Sequence, residues 1–249
     1  MSAPLTPEER SIYEWQMWVD GVGEAGQQKL KDATVLISRC GGLGGIVAYQ
    51  LAAAGVGRLI IAHAGNLKPG DLNRHLLQTR DHVGRPRMES ITRRLKELNP
   101  QLQIVAVPEN VSEGNADRLV EQANVVVDAA PLFEERFALN RAAVQRRKPM
   151  VECAVHGLDV HVTTILPGRT PCLQCITPEK PPSWKRQFPI FGAVSGVAGS
   201  LGSVEVIKVL TGIGKPLAGV MLVMNLDTMH IRKFKPARDP HCTVCAEIR

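Results

Sequence analysis

The residues best equipped for chemistry here are cysteines, and four of them are spaced for metal. Cys172 and Cys175 form one C-x-x-C pair, and Cys242 and Cys245 form another. Four thiolates fill the tetrahedral shell of zinc and leave no open coordination position, so the chemistry is structural. Under reducing conditions such pairs favour a metal over disulfides. Because the pairs are far apart in the sequence, the zinc would staple two distant segments.

A second stretch, Ser38-Arg39-Cys40-Gly41-Gly42-Leu43-Gly44, follows an apolar run and opens a helical pattern. Laid over G-x-G-x-x-G, its second and third glycines are Gly41 and Gly44. They would let backbone approach a phosphate and let the helix pack on the strand. The first position is Arg39, which is expected to strain the turn. The next strand should end in an acid that takes ribose hydroxyls, and it ends in His63. Cys40, His63 and Cys153 each follow the end of a predicted strand. In open parallel sheets the crevice lies there, so all three are expected to face one cavity. Cys40, beside a helix N-terminus and Arg39, has the setting of an activated thiolate, while for Cys40 and Cys153 alike the commoner alternative is a buried inert cysteine.

These residues need elements to position them. Thr6, Pro7 and Glu9 read as a capped helix start, with Ile12, Trp15, Trp18 and Val19 following at helical spacing. Strands are predicted at Val35–Ser38, Arg58–Ala62, Gln103–Val107, Asn124–Asp128 and Pro149–Val155. Helices fall between them at Gly44–Ala54, Met88–Leu98, Asn115–Gln122 and Glu134–Arg147. Such alternation of helices with continuous apolar strands predicts an α/β, Rossmann-like fold: a mostly parallel sheet with helices on both faces. After His156 the pattern changes. Strands at His161–Leu166, Val220–Asn225 and Met229–Phe234, around a helix at Phe191–Leu210, predict an antiparallel extension. The chain reads as one domain over 1–249: a helical segment 1–33, a nucleotide-binding-type core 34–155, and the extension, crossover loop and zinc staple 156–249. The proline-rich loop Pro167–Pro189 is long enough to cover a site.

Composition narrows the class. The 249 residues are 44% apolar and 22% charged, with a net charge of +6. The positive residues are scattered and no nucleic-acid-reading motif accompanies them, so no nucleic acid partner is expected. An anionic ligand or acidic protein partner suits the excess better. No secretory signal opens the chain, and the uncharged run Gln187–Val204 is diluted by glycine and serine. A cytoplasmic protein without membrane attachment is expected.

The order of its motifs resembles the MoeB/ThiF/HesA group, relatives of ubiquitin-activating enzymes. The resemblance runs from about Tyr13 to Cys245. It rests on GQQKLKDATVLI, GGLGG, LAAAGVGRL, DLNRHLL, VGRPRMES, LNP, VVVDAA, GVAGSLGSVEVIKVLTG and both C-x-x-C pairs. It implies a homodimer with one structural zinc per chain, held by Cys172, Cys175, Cys242 and Cys245. It also implies ATP-dependent adenylation, with magnesium, of the C-terminal Gly-Gly of a ubiquitin-like sulfur carrier. Nucleotide-binding positions would be Gly41, Gly42, Gly44, His63, Asp71, Arg74 and Arg87, with Arg74 and Arg87 as the catalytic cations.

At several of these positions the chain departs from the group. Trp15 stands where an arginine reaches across the dimer to the phosphates. His63 replaces the ribose acid, Asp71 an asparagine and Arg87 a lysine. Pro131 stands where an aspartate positions magnesium; Asp128 belongs to the strand end. The cysteine that some relatives use for sulfur transfer would fall near Trp184 and Lys185. The expectation is an impaired or inactive adenylyltransferase. The alternatives are a carrier-binding scaffold, or a thiol-based enzyme using Cys40 or Cys153.

Overall fold

A computed structural model of the chain describes residues 3–248. Its centre is one eight-stranded sheet, ordered β3-β2-β1-β4-β5-β6-β7-β8. The strands are β1 Thr34–Ile37, β2 Arg58–Ala62, β3 Gln103–Val107, β4 Val125–Asp128, β5 Met150–His156, β6 Asp159–Ile165, β7 Met221–Asn225 and β8 His230–Phe234. From β3 to β5 all neighbours are parallel, and from β5 onward all are antiparallel. The expected α/β sheet and its antiparallel extension are both present, with ends within two residues of those predicted.

Helices cover both faces, which is why β1, β2 and β4 are apolar without alternation. The helices are α1 Pro7–Ile12, α2 Glu14–Met17, α3 Gly23–Asp32, α4 Gly42–Ala53, α5 Arg87–Leu98, α6 Ala116–Glu121, α7 Phe133–Gln145, α8 Leu173–Ile176 and α9 Gly192–Thr211. One core gathers residues of α3, α4, α5 and α9 under one face of the sheet. The other gathers α6, α7, α8 and three of the paired cysteines, Cys172, Cys242 and Cys245, on the opposite face.

The packing of α4 on α9 depends on small residues. A Cβ at Gly199 would stand 2.7 Å from the carbonyl oxygen of Leu43, so only glycine lets the two backbones come this close. Gly192–Thr211 has a mean hydropathy of 1.4 over its most apolar window, long and apolar enough by length and composition to cross a membrane. That exceeds the weak apolarity expected of this region. Here it lies against the sheet, with Ala198, Gly199, Gly202 and Val206 buried.

The N-terminal capping box forms as predicted, Thr6 accepting from the Glu9 amide while Glu9 accepts from the Thr6 amide. The helix then breaks at Tyr13. Ile12, Trp15, Trp18 and Val19 do not pack inward: Trp15 is 78% exposed and stacks loosely on Trp18.

Candidate functional site

A cavity of about 590 Å³ opens at the carboxyl ends of the parallel strands, as expected for an open α/β sheet. Its walls come from the β1–α4 turn, the end of β2, the segment after β4, and β5 with β6. Pro181, Trp184, Arg186, Gln187 and Phe188 of the crossover loop close one side. The cavity therefore runs without interruption from the glycine turn to the loop.

At the glycine-turn end the three glycines are needed for close packing. A Cβ at Gly44 would stand 1.7 Å from the Arg39 carbonyl oxygen, so the turn folds tightly onto the first helical residues. At Gly41 the nearest neighbour is the His75 Nε2, at 3.1 Å from where a Cβ would stand. Arg39 does not strain the turn as expected: among the described residues only Arg147 and Met229 combine a side chain larger than glycine's hydrogen with a positive φ. Its guanidinium is instead held by buried Glu135 of α7, with Nε 2.8 Å from Oε2 and Nη2 on Oε1.

Asp71 gathers the cations that the sequence singles out. Its Oδ2 accepts from Arg87 Nη2 at 2.5 Å and from the Lys68 amide at 3.0 Å; its Oδ1 accepts from Arg74 Nη2 at 3.3 Å. Arg74 also donates to the Gly70 carbonyl, and Arg87 to the Ala64 carbonyl. Gly41, Gly42, His63, Asp71, Arg74 and Arg87 thus all line one end of the cavity, while Gly44 lies just behind it.

His63 and His75 face each other there, ring centroids 6.3 Å apart, and the Nδ1 of each is buried without a partner. Burial holds both imidazoles neutral. His63 is pushed down to about 3, with Arg39 and Arg87 acting in the same sense; His75 is pushed down to about 4, against the pull of Asp71. A histidine whose folded pKa lies below its unfolded value near 6.5 stabilises the fold fully above that pH. Stability is lost as pH falls toward the folded pKa, because only the unfolded chain takes up the proton. The expected loss is on the order of 2 kcal/mol per imidazole by pH 4.5. Urea unfolding at pH 7 and pH 4.5 checks this: His63→Asn should flatten the dependence, and an unchanged slope would contradict it.

Under the crossover loop the strand ends carry a buried triad. Arg136 of α7 donates to Asp128 Oδ2 at 2.9 Å and to Glu152 Oε1. Glu135, Arg136 and Glu152 were not foreseen as site residues, although a glutamate inside the apolar run of β5 was a visible signal.

Of the two readings of the lone cysteines, activated thiol or buried inert residue, the structure supports the second. Cys40 is buried and does not line the cavity; its Sγ points to the Gly44 carbonyl oxygen at 3.9 Å. Burial raises its pKa, and Arg39 beside it is already neutralised by Glu135. Cys153 does line the cavity, but burial and the carboxylates of Glu152 and Asp128 push its thiol well up. Neither residue is poised as a nucleophile.

Beside α7, where Asn140 Oδ1 accepts from the Leu173 amide at 3.0 Å, the four paired cysteines come together. Their sulfurs all lie within 4.8 Å of one another, with Cys175 3.5 Å from Cys245 and Cys172 3.7 Å from Cys242. Thiols at these separations, mostly buried, form a closed set that could hold one metal ion.

Residues 13–244 match the model of the ThiF family. This chain belongs to that family. Protein HesA, heterocyst, of Trichormus variabilis is 46% identical over 241 residues, which cover 97% of this chain and 90% of the relative. The sulfur carrier protein adenylyltransferase of Thermus thermophilus is 36% identical, over 97% of this chain and 93% of its own length. Among solved structures, Escherichia coli MccB with ATP superimposes with a TM-score of 0.79 at 26% identity, over 89% of this chain and 69% of that one. Within this ThiF-family frame, Trp15 lies outside the cavity of its own chain, whereas Pro131 lines it.

Proposed function

We propose that this ThiF-family chain receives the Gly-Gly tail of a ubiquitin-like sulfur carrier in the crevice and adenylates it poorly or not at all. The observation that carries the reading is the single cavity joining the glycine turn to the crossover loop. An extended tail entering under the loop is led toward the arginines at the turn. A triphosphate with magnesium fits that end badly. Asp71, the one carboxylate among the lining residues there, already has both oxygens on arginine and backbone donors. Arg39 is held by Glu135. No step through magnesium is derived.

The four-cysteine cluster fits zinc, which Cys172, Cys175, Cys242 and Cys245 would hold as a closed structural site. The exposed Ile12, Trp15, Trp18 and Val19 support a homodimer, since a contiguous apolar patch favours association.

The test is titration with ubiquitin-like proteins ending in Gly-Gly, at low and high salt. Lys185 and Arg186 are exposed in the loop, so binding is expected to weaken several-fold between about 50 and 300 mM salt. Removal of the Gly-Gly should abolish it. A carrier whose affinity is indifferent to losing its tail would rule the reading out.

A further inference from the structure

Glu152 is 2% exposed, and its Oε2 has no hydrogen-bond partner. Its Oε1 is held by Arg136, which is itself anchored on Asp128, so the carboxyl is tied down on one side. Along β5 it shares a face with Met150, toward α7 and α8, and it lines the cavity between Pro131 and the crossover loop. A bare buried carboxylate oxygen is costly unless something donates to it. Among the described residues no protein group does so.

The chemistry of the occupant decides what that donor is. A Gly-Gly tail carries no side chains; its carbonyls and terminal carboxylate only accept, and its amide N–H groups are all it can donate. We propose that Glu152 reads the tail by accepting a backbone N–H from one of its last two residues, and so is a specificity-determining binding residue. The inference rests on the tail-binding reading above. The division of labour follows from charge: a single terminal carboxylate asks less than a triphosphate of the Asp71-paired guanidiniums at the glycine-turn end, and the acid deeper under the loop suits an amide. Burial raises the Glu152 carboxyl to about 7, with Asp128 pushing the same way and Arg136 opposing, so the test is run at pH 8 to favour the carboxylate. The near groups are Arg136 of α7, Asp128 of β4, Cys153 of its own strand, and Thr163 and His161 of β6.

The experiment uses synthetic peptides ending in Gly-Gly with a free carboxylate, and partners in which the last or last-but-one glycine is N-methylated. A hydrogen bond to a charged group makes the expected loss roughly ten- to a hundredfold for one of the two methylated peptides. Glu152→Gln should bind the unmodified peptide more weakly and show much less discrimination between the peptides. Equal binding of all three peptides by the native chain overturns the proposal and leaves the tail reading standing. Discrimination that persists in full in Glu152→Gln shows that the methyl group is excluded by shape, and also overturns it. If no peptide and no Gly-Gly protein binds, both fall together.

Discussion

Purified protein is expected to show no detectable ATP–pyrophosphate exchange, with or without a carrier, and to bind ATP no more tightly than about millimolar. Adenylation requires the phosphate charge to be neutralised and magnesium held while pyrophosphate leaves. Removing one well-placed charge-stabilising group costs about 10²–10³ in rate. On the motif resemblance, Trp15 would stand at the position of the cross-dimer arginine and Pro131 at that of the metal aspartate. Allowing for strong non-additivity, those two losses together leave a deficit of roughly 10⁴-fold.

Arg10 and Arg85 are near enough in sequence to stand in for such an arginine; Arg10 is paired with Glu24 at 2.8 Å and donates to the Leu5 carbonyl. Arg74 and Arg87 are present in the cavity but are both paired with Asp71, which offsets part of their charge toward a phosphate. Neutral His63 can accept one hydroxyl hydrogen where an acid would accept two, and as an uncharged acceptor it binds more weakly. Measured exchange in the native chain, beside Trp15→Arg combined with Pro131→Asp and His63→Asp, checks the argument from both sides. Robust exchange in the native chain that disappears on Arg74→Ala would restore the ordinary enzyme.

The second large effect is expected at the cysteine cluster. Freshly purified reduced protein should carry close to one zinc per chain, and Cys242→Ser should lose it. Metal binding at such a site is folding free energy, about 10–16 kcal/mol in small zinc peptides, comparable with the whole stability of an ordinary domain. Cys172 caps the start of α8 and Cys175 lies within it, in the crossover loop, while Cys242 and Cys245 lie in the segment after β8. Without the ion, four close thiols in a largely buried pocket have nothing to bind, and the two segments lose their tie. Melting temperature should fall by roughly 10 °C or more. Metal analysis finding no zinc, together with an unchanged melting curve for Cys242→Ser, would sink the staple.

Much of this was legible in the sequence because it is local. Thr6, Pro7 and Glu9 specify a capping box within four positions, and it forms as read. The runs TVLI, RLIIA and VVVD, short and mostly β-branched, read as strands covered on both faces, and they are. The spacing of C-x-x-C brings two sulfurs toward one point before any fold is considered. Only the tertiary structure could decide the rest, because burial and pairing are properties of neighbours brought in from elsewhere. Cys40 has an activating local context, a helix start and an arginine, yet α7 supplies Glu135 to take that arginine and the core removes the water a thiolate needs. Ile12, Trp15, Trp18 and Val19 follow at helical spacing, but among the described residues no other element covers them and all four stand at the surface. Glu152 reads locally as an odd charge in a strand. Its meaning comes from Arg136, which fixes one oxygen, and from the cavity wall, which leaves the other bare.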